Sequence, residues 1–306
     1  MDRRIKFRHL DAFSAIARAR SLKRASEQLN LTQPAISKTL RELEEIVGAV
    51  LMERSRSGVA LTPEGEVFLQ FAEQSTAALR HGLRSVRATS GAGASLKIGA
   101  LPSVVSHLLP RMVPAFAARN PDTLIEIHEG PHHDLTTRLR AGRLDMVVGR
   151  LGRPESMQGL SFRQLYSEEV AVVTARGGPA ASVRRLGDLE AFRVLYPPKD
   201  SAIRPLVARL LISQGIPLFA NRIESASPAF GRTVTLGDPG TVWFISLGVV
   251  AGDIAGGLLV RLDLDMAATA GAVGIMTRAE EVPSAASRAF ARALVQAAAD
   301  PGATPA

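Results

Sequence analysis

SLKRASEQLNLTQPAISKTLRELEEIVG, residues 21–48, decides how the amino-terminal part of this chain folds. A short helix carrying Ala25 and Leu29 runs into a turn at Asn30–Leu31. Thr32 can cap the next helix, because its hydroxyl can accept one of the backbone N–H groups that a helix start leaves unpaired. Pro34 falls in the first turn, where a missing N–H costs nothing. Ile36, Leu40, Leu43 and Val47 recur at i, i+4, i+7 and i+11, the spacing of one buried helical face. On the opposite face Thr32, Gln33, Ser37, Lys38 and Arg41 are short polar or cationic side chains of the kind that reach base edges and phosphates. Two helices joined in this way are a helix-turn-helix, and this region is expected to bind duplex DNA.

Working outward, Gly48 marks the end of the second helix. Val50–Arg54 and Val59–Leu61 then read as two strands around the turn Ser55-Arg56-Ser57-Gly58. That hairpin is a wing, with Arg54 and Arg56 placed to touch phosphate. On the amino-terminal side a helix over Phe7–Ala19 turns Leu10, Phe13, Ile16 and Ala17 inward. Thr62-Pro63-Glu64-Gly65 is a helix start, with a capping Thr, Pro at the first helical position and an acid near the positive end. The helix is expected to reach about residue 87. Its stripe Phe68, Ala72, Ser75, Leu79 and Val86, flanked by Phe71, Ala78 and Leu83, admits two readings: pairing with a second chain, or packing on its own domain.

The chain has 306 residues, is 46% hydrophobic and 22% charged, and carries a net charge of +8. It can therefore bury a core and suits two or three compact units. The first 90 residues hold 15 Lys/Arg against 10 Asp/Glu, so most of the excess positive charge coincides with the helix-turn-helix. With no cysteine, disulfides, thiolate metal sites and Cys nucleophiles are excluded. MDRRIKF lacks an apolar signal region, and Thr241–Val250 is too short to span a bilayer. A cytoplasmic protein without membrane contact is expected.

Residues 89–95 form a small-residue hinge, and the pattern then changes. Strands at Leu96–Ala100, Leu124–Ile127 and Leu144–Val148 alternate with helices at Val105–Ala118 and Leu135–Ala141, which predicts a mainly parallel sheet. A second run reads as strands at Ala171–Val173, Val194–Tyr196, Ile223–Glu224, Val242–Ile245 and Leu258–Leu262, with a helix at Ile203–Gln214. Ala272–Met276 is one more strand and Ala285–Ala299 a final helix. Ligands bind beyond the carboxyl ends of such strands. Those positions hold Leu101, Pro102 and Ser103; Gly149 and Arg150; Ser201 and Arg204; and Ser225 and Ser227. Ser103 and Ser201 open helices and suit an anion. Arg150 and Arg204 could grip carboxylates through forked donors, so the ligand is expected to be a small organic acid carrying more than one carboxylate. The plainer alternative is that the serines are caps and the arginines are solvated.

His128, His132 and His133 cluster in HEGPHHD, but Gly130-Pro131 forces a turn and the spacing lacks a one-face metal motif, so a surface loop is expected. No GxSxG elbow, HExxH or phosphate-binding loop appears. Neither an enzyme, a metal nor a cofactor is expected. Trp243 and Phe244 read as core.

KFRHLDAFSAIARARSL, KRASEQLNLTQPAISKTLRELEE and LMERSRSGVALTPEGE together resemble the amino-terminal domain of LysR-type transcriptional regulators over about 65 residues. MDRRIKFRHL, LPSVVSHLLP, LDMVVGR and LYSEEV resemble the subgroup controlling protocatechuate and β-ketoadipate catabolism. Met52 stands where the family usually has Phe, and the wing is less basic than many.

The resemblance implies an α+β protein: a winged helix-turn-helix at 1–65, a linker and dimerisation helix with hinge at 66–90, and a periplasmic-binding-protein-like effector domain at 91–306. Its two α/β subdomains would span about 95–165 with 270–300, and about 166–269. The resemblance further implies a small organic acid inducer held by the segments named above, and promoter DNA bearing an inverted repeat. A dimer of dimers follows from it too. Gln33 and Ser37, with Thr32 and Pro34, would read bases, while Lys38, Arg41, Arg54 and Arg56 hold phosphate. A regulator of another metabolic or sugar-uptake operon, or an architectural DNA binder without inducer, remains open at this level.

Overall fold

A computed structural model describes residues 4–55, 58–89, 94–279 and 281–299. Arg56 and hinge residues 90–93 lie outside the described residues. The chain divides into two compact units, Met1–Ala92 with Arg140–Arg143, and Gly93–Leu139 with Leu144–Ala306.

The first unit contains α1 (Phe7–Ala19), α2 (Leu22–Leu29) and α3 (Gln33–Val47), the hairpin β1 (Met52–Ser55) and β2 (Gly58–Leu61), and the long α4 (Pro63–Thr89). Local chemistry sets each boundary. Ser21 caps α2 by accepting from the Arg24 N–H, and Asn30 ends it in the left-handed region at φ 54°. Thr32 caps α3 by accepting from the Ala35 N–H at 3.4 Å, and Gly48 closes it at φ 75°, a conformation that suits glycine. Thr62 caps α4 by accepting from the Gly65 N–H at 2.9 Å. Phe13, Ile16, Ala25, Ile36, Leu40, Leu43 and Leu51 form the core. Phe68 of α4 meets Phe13 edge to face at 5.4 Å, whereas Phe71, Leu79 and Leu83 are exposed. One side of the predicted stripe thus packs on its own unit and the other stays uncovered.

The second unit holds two five-stranded sheets among the described residues. Strands β3 (Ala94–Ala100), β4 (Thr123–Glu129), β5 (Met146–Arg150), β6 (Leu160–Glu168) and β12 (Gly271–Arg278) lie in the order β4-β3-β5-β12-β6. Strands β7 (Val170–Ala175), β8 (Arg193–Tyr196), β9 (Arg222–Glu224), β10 (Thr241–Ser246) and β11 (Leu259–Arg261) lie in the order β11-β7-β10-β8-β9. Around the first sheet run α5 (Leu109–Arg119), α6 (His132–Arg140) and α10 (Ala285–Ala299); around the second run α7 (Arg204–Ser213), α8 (Pro228–Gly237) and α9 (Leu247–Ala255). β12 and α10 close the first sheet, where Phe290 of α10 packs edge to face on Phe116 at 4.9 Å.

Several expectations need correction. The sheets are mixed: β3 pairs in parallel with β4 and β5, but β12 pairs antiparallel with β5 and β6. Likewise β10 is parallel to β8 but antiparallel to β7. The sequence reading omits β6. Its register shifts where Val273 pairs with Tyr166 but Gly274 with Gln164, so a bulge at Leu165 breaks the period-two pattern that marks a strand. Also omitted is α9, whose Gly248, Gly252 and β-branched Val249 and Val250 are weak helix formers. Gly149 and Arg150 lie inside β5 rather than beyond it. The histidines do not share a loop: His128 is on β4, and His132 and His133 open α6.

Candidate DNA-reading face and effector cavity

In the first unit, burying Ile36, Leu40 and Leu43 fixes the rotation of α3. Thr32, Gln33, Pro34, Lys38 and Arg41 are consequently exposed, while Ser37 is half-buried. Glu42, one turn beyond Lys38, lies 4.0 Å from the Lys38 amine and 3.4 Å from the Arg8 guanidinium. At such exposure these pairs are weak, and Lys38 stays available to a phosphate. Lys23 and Arg24, in the first turn of α2, are exposed as well. The sequence reading passed over these two cations, although two adjacent basic residues at a helix start were visible. Arg54 lies on β1, opposite Val59 of β2.

In the second unit a cavity of about 590 Å³ is lined from the ends of several strands. Leu101, Pro102 and Ser103 come from the end of β3, and Glu129 to His132 from the end of β4. Pro197, Asp200 and Ser201 follow β8, Ser225 and Ser227 follow β9, and Phe244 to Ser246 end β10. Arg150 reaches the cavity from β5. The lining thus brings together Leu101, Pro102, Ser103, Arg150, Ser201, Ser225 and Ser227, seven of the nine anticipated positions; Gly149, inside β5, and Arg204 are not among the lining residues. Trp243 and Phe244 are buried in the core as anticipated, and Phe244 also faces the cavity.

Arg204 is engaged elsewhere. Its guanidinium donates to the Pro197 carbonyl at 2.7 Å, pairs with Glu224 at 3.1 Å and lies 4.6 Å over the Tyr196 ring. Hydrogen bonds from Arg222 and then Arg204 hold the Glu224 carboxyl below its ordinary range. The Arg150–Arg204 pair is therefore not assembled at the cavity.

Arg150 is itself engaged. It is 5% exposed and donates to the Glu168 carbonyl at 2.9 Å and the Glu168 carboxylate at 3.3 Å. At 3.5 Å it also meets the Ser246 hydroxyl and the Thr269 carbonyl. Burial pulls its pKa down, and the Glu168 charge partly opposes that. The other Glu168 oxygen accepts from the Gly248 N–H, at the start of α9, at 3.0 Å. Glu168 thereby ties the first sheet to the helix that follows β10.

Gly248 is obligatory in this arrangement. A Cβ there would come within 2.6 Å of the Glu168 carboxylate and 2.9 Å of the Ser103 carbonyl.

The serines divide. Ser227 caps α8, accepting from the Phe230 N–H at 3.2 Å. Ser225 accepts from the Ser227 N–H at 3.2 Å, and Ser201 from the Ile203 N–H at 3.4 Å. Ser103, buried and followed by a π-helical turn over Val104–Leu108, makes no side-chain cap bond. Single π turns within helices are frequent at functional sites. Sequence reading missed Ser246 and the β4 end, although the same rule about strand ends, applied to β4 and β10, would have found both. No group of metal-ligating side chains is present among the described residues, and no helix there is long and apolar enough to cross a membrane.

The comparisons agree with this geometry. Residues 7–66 match the model of the bacterial regulatory helix-turn-helix protein, lysR family, and residues 89–299 that of the LysR substrate binding domain. The chain is 42% identical over 287 residues to the HTH-type transcriptional regulator PcaQ of Agrobacterium fabrum, covering 93% of this chain and 92% of the relative. It is 33% identical over 279 residues to YdcI of Escherichia coli, an uncharacterised HTH-type transcriptional regulator, covering 90% and 91%. Its fold is similar to a full-length OxyR variant from Pseudomonas aeruginosa, at 22% identity, 96% and 94% coverage and TM-score 0.63. It is also similar to full-length BenM, at 24% identity, 98% and 99% coverage and TM-score 0.57. A readout helix with its polar face outward, a hairpin beside it and a cavity at the strand ends of two linked sheets are joined in one chain, and that chain belongs to the lysR family of bacterial DNA-binding helix-turn-helix transcriptional regulators.

Proposed function

We propose that this regulator is gated by a small carboxylated inducer and controls genes of aromatic acid catabolism, in the protocatechuate and β-ketoadipate class. The observation that carries the inducer reading is the cavity end where Ser103, Ser246 and Arg150 meet. Hydroxyls and a guanidinium there suit a carboxylate, and the proline- and phenylalanine-lined remainder suits a ring or an unsaturated chain. With Arg204 outside the lining and Glu129 and Asp200 within it, the site offers one anchoring arginine, so one carboxylate is gripped. The pathway rests on the likeness of LPSVVSHLLP, LDMVVGR and LYSEEV to that subgroup, with which the 42% identity to PcaQ is consistent.

Gln33 and Ser37, with Thr32 and Pro34, read bases in the major groove; glutamine suits adenine through its paired acceptor and donor. Lys38, Arg41, Arg54 and Arg56 hold phosphate. Two copies joined along the exposed Phe71, Leu79 and Leu83 of α4 would meet an inverted repeat, and two such dimers a longer promoter segment, in the cytoplasm. The domains fall at 1–65, 66–90 and 91–306. A footprint on the intergenic DNA beside the gene, with and without protocatechuate and its ring-cleavage carboxylates, tests the reading. A protected inverted repeat that changes with one acid supports it. Protection unchanged by every acid leaves a DNA binder without this inducer class, and protection without sequence preference indicates an architectural role.

A further inference from the structure

The hairpin β1–β2 has four residues in each strand, and a two-stranded ribbon of that size is marginal alone. Packing does not secure its whole length. A cavity of about 170 Å³ opens between it and α3, bounded by Ser37, Leu40, Arg41, Glu44, Met52 and Val59 among others. Hydrogen bonds tie the hairpin at both strands instead. At β2 the Val59 N–H donates to the Arg20 carbonyl, at the end of α1, at 3.1 Å. At β1 one Glu44 oxygen accepts from both the Leu51 N–H at 2.9 Å and the Met52 N–H at 3.2 Å. Leu51 and Met52 are 0% and 7% exposed, so water cannot substitute for that carboxylate. Glu44 stands on α3 itself, one turn beyond Arg41.

We propose that Glu44 is the positioning residue that locks the wing to the recognition helix, so that the hairpin carrying Arg54 meets phosphates flanking the bases α3 reads. The proposal rests on the DNA-binding reading above. A carboxylate oxygen accepts two donors at once, whereas alanine leaves two buried amides unpaired. The hairpin then frays, while the capped start of α3, with Gln33 and Ser37, keeps its geometry. Wing contacts go to phosphate and carry no sequence information. Losing them weakens binding to every sequence alike and leaves discrimination intact.

The test uses full-length wild type, E44A and E44Q. Fluorescence anisotropy is measured over a salt series, on the duplex protected in the footprint and on a scrambled duplex. Hydrogen exchange is read over residues 50–61. For E44A the affinity is expected to fall several-fold on both duplexes with their ratio unchanged. Its log-affinity against log-salt slope is expected to shrink by about 0.9 per lost phosphate contact, and the hairpin to exchange faster. E44Q keeps an acceptor oxygen and is expected to stay within about twofold of wild type, a small change on the scale of one hydrogen bond.

A folded E44A with wild-type slope and exchange overturns the proposal, as does one that loses discrimination between the duplexes. Should E44A not fold, full-length E44D decides: its shorter carboxylate cannot reach both amides, so a reduced slope with faster exchange over residues 50–61 supports the proposal, and wild-type slope and exchange overturn it. Wild-type protein that binds neither duplex in a salt-dependent way overturns the DNA-binding reading instead, before any variant is compared.

Discussion

The two polar surfaces of this chain are built on opposite terms. On α3, Thr32, Gln33, Lys38 and Arg41 are exposed, and the ion pairs there are long. At the cavity, Arg150 is buried and tied to Glu168, Ser246 and Thr269, while Arg204, outside the lining, is held by Pro197, Glu224 and Tyr196. The difference is one of contact range. The residues proposed to read bases, with Lys38 and Arg41, fall within ten positions at and beyond the start of α3, so burying Ile36, Leu40 and Leu43 points their face outward. The cavity residues come from the ends of several strands spread between positions 101 and 246, and which donor meets which acceptor is settled only when both sheets form. A polar residue on a surface helix is available for a partner, whereas one at a strand end has internal claims on it first.

The largest test of that contrast is E168A. It leaves the Arg150 guanidinium buried without its carboxylate, and removing one partner of a buried pair is expected to cost about 3–5 kcal/mol. Urea denaturation followed by circular dichroism reads the loss, and a change under about 1 kcal/mol would place Arg150 among ordinary surface charges. Next comes G248A. Its new methyl meets the Glu168 carboxylate and the Ser103 carbonyl, and overpacking of this kind is expected to cost about 1–3 kcal/mol, seen as a lower Tm. On the other surface R41A should change stability by no more than about 0.5 kcal/mol. The same substitution is expected to reduce the salt slope of DNA binding by about 0.9 for each phosphate it contacts; an R41A chain with weakened folding and an unchanged slope would reverse the contrast.

The smallest effect concerns His107, which burial, followed by the Arg111 charge, holds below its ordinary pKa of 6.5. A base with a lowered folded pKa binds fewer protons folded than unfolded. Its contribution is therefore complete above the unfolded value and is lost as pH falls through 6.5 toward the folded one. H107Q is expected to lose less Tm than wild type between pH 7 and pH 5; an equal loss in both removes His107 from the acid response.

How much was legible follows the same division. The amino-terminal unit could be read almost to the residue, because caps at Ser21, Thr32 and Thr62 and the spacing of Ile36, Leu40 and Leu43 act within one or two helical turns. Arg204, at the start of α7, could not be placed, since its partner Glu224 is 20 positions away at the end of β9. The bulge at Leu165 hid β6, and with β6 the role of Glu168 at its end. Ser246 was within reach of the rule that ligands gather at strand ends, had the end of β10 been read as the others were.

The central claim, a DNA reader gated through the cavity, is tested most directly by anisotropy of the footprinted duplex. The titration is run in wild type and S103A with protocatechuate and its ring-cleavage carboxylates. The expected result is that one acid shifts DNA binding in wild type, and that S103A binds the same DNA but no longer responds to that acid. DNA binding indifferent to every acid, or an S103A chain that responds as wild type does, would contradict it.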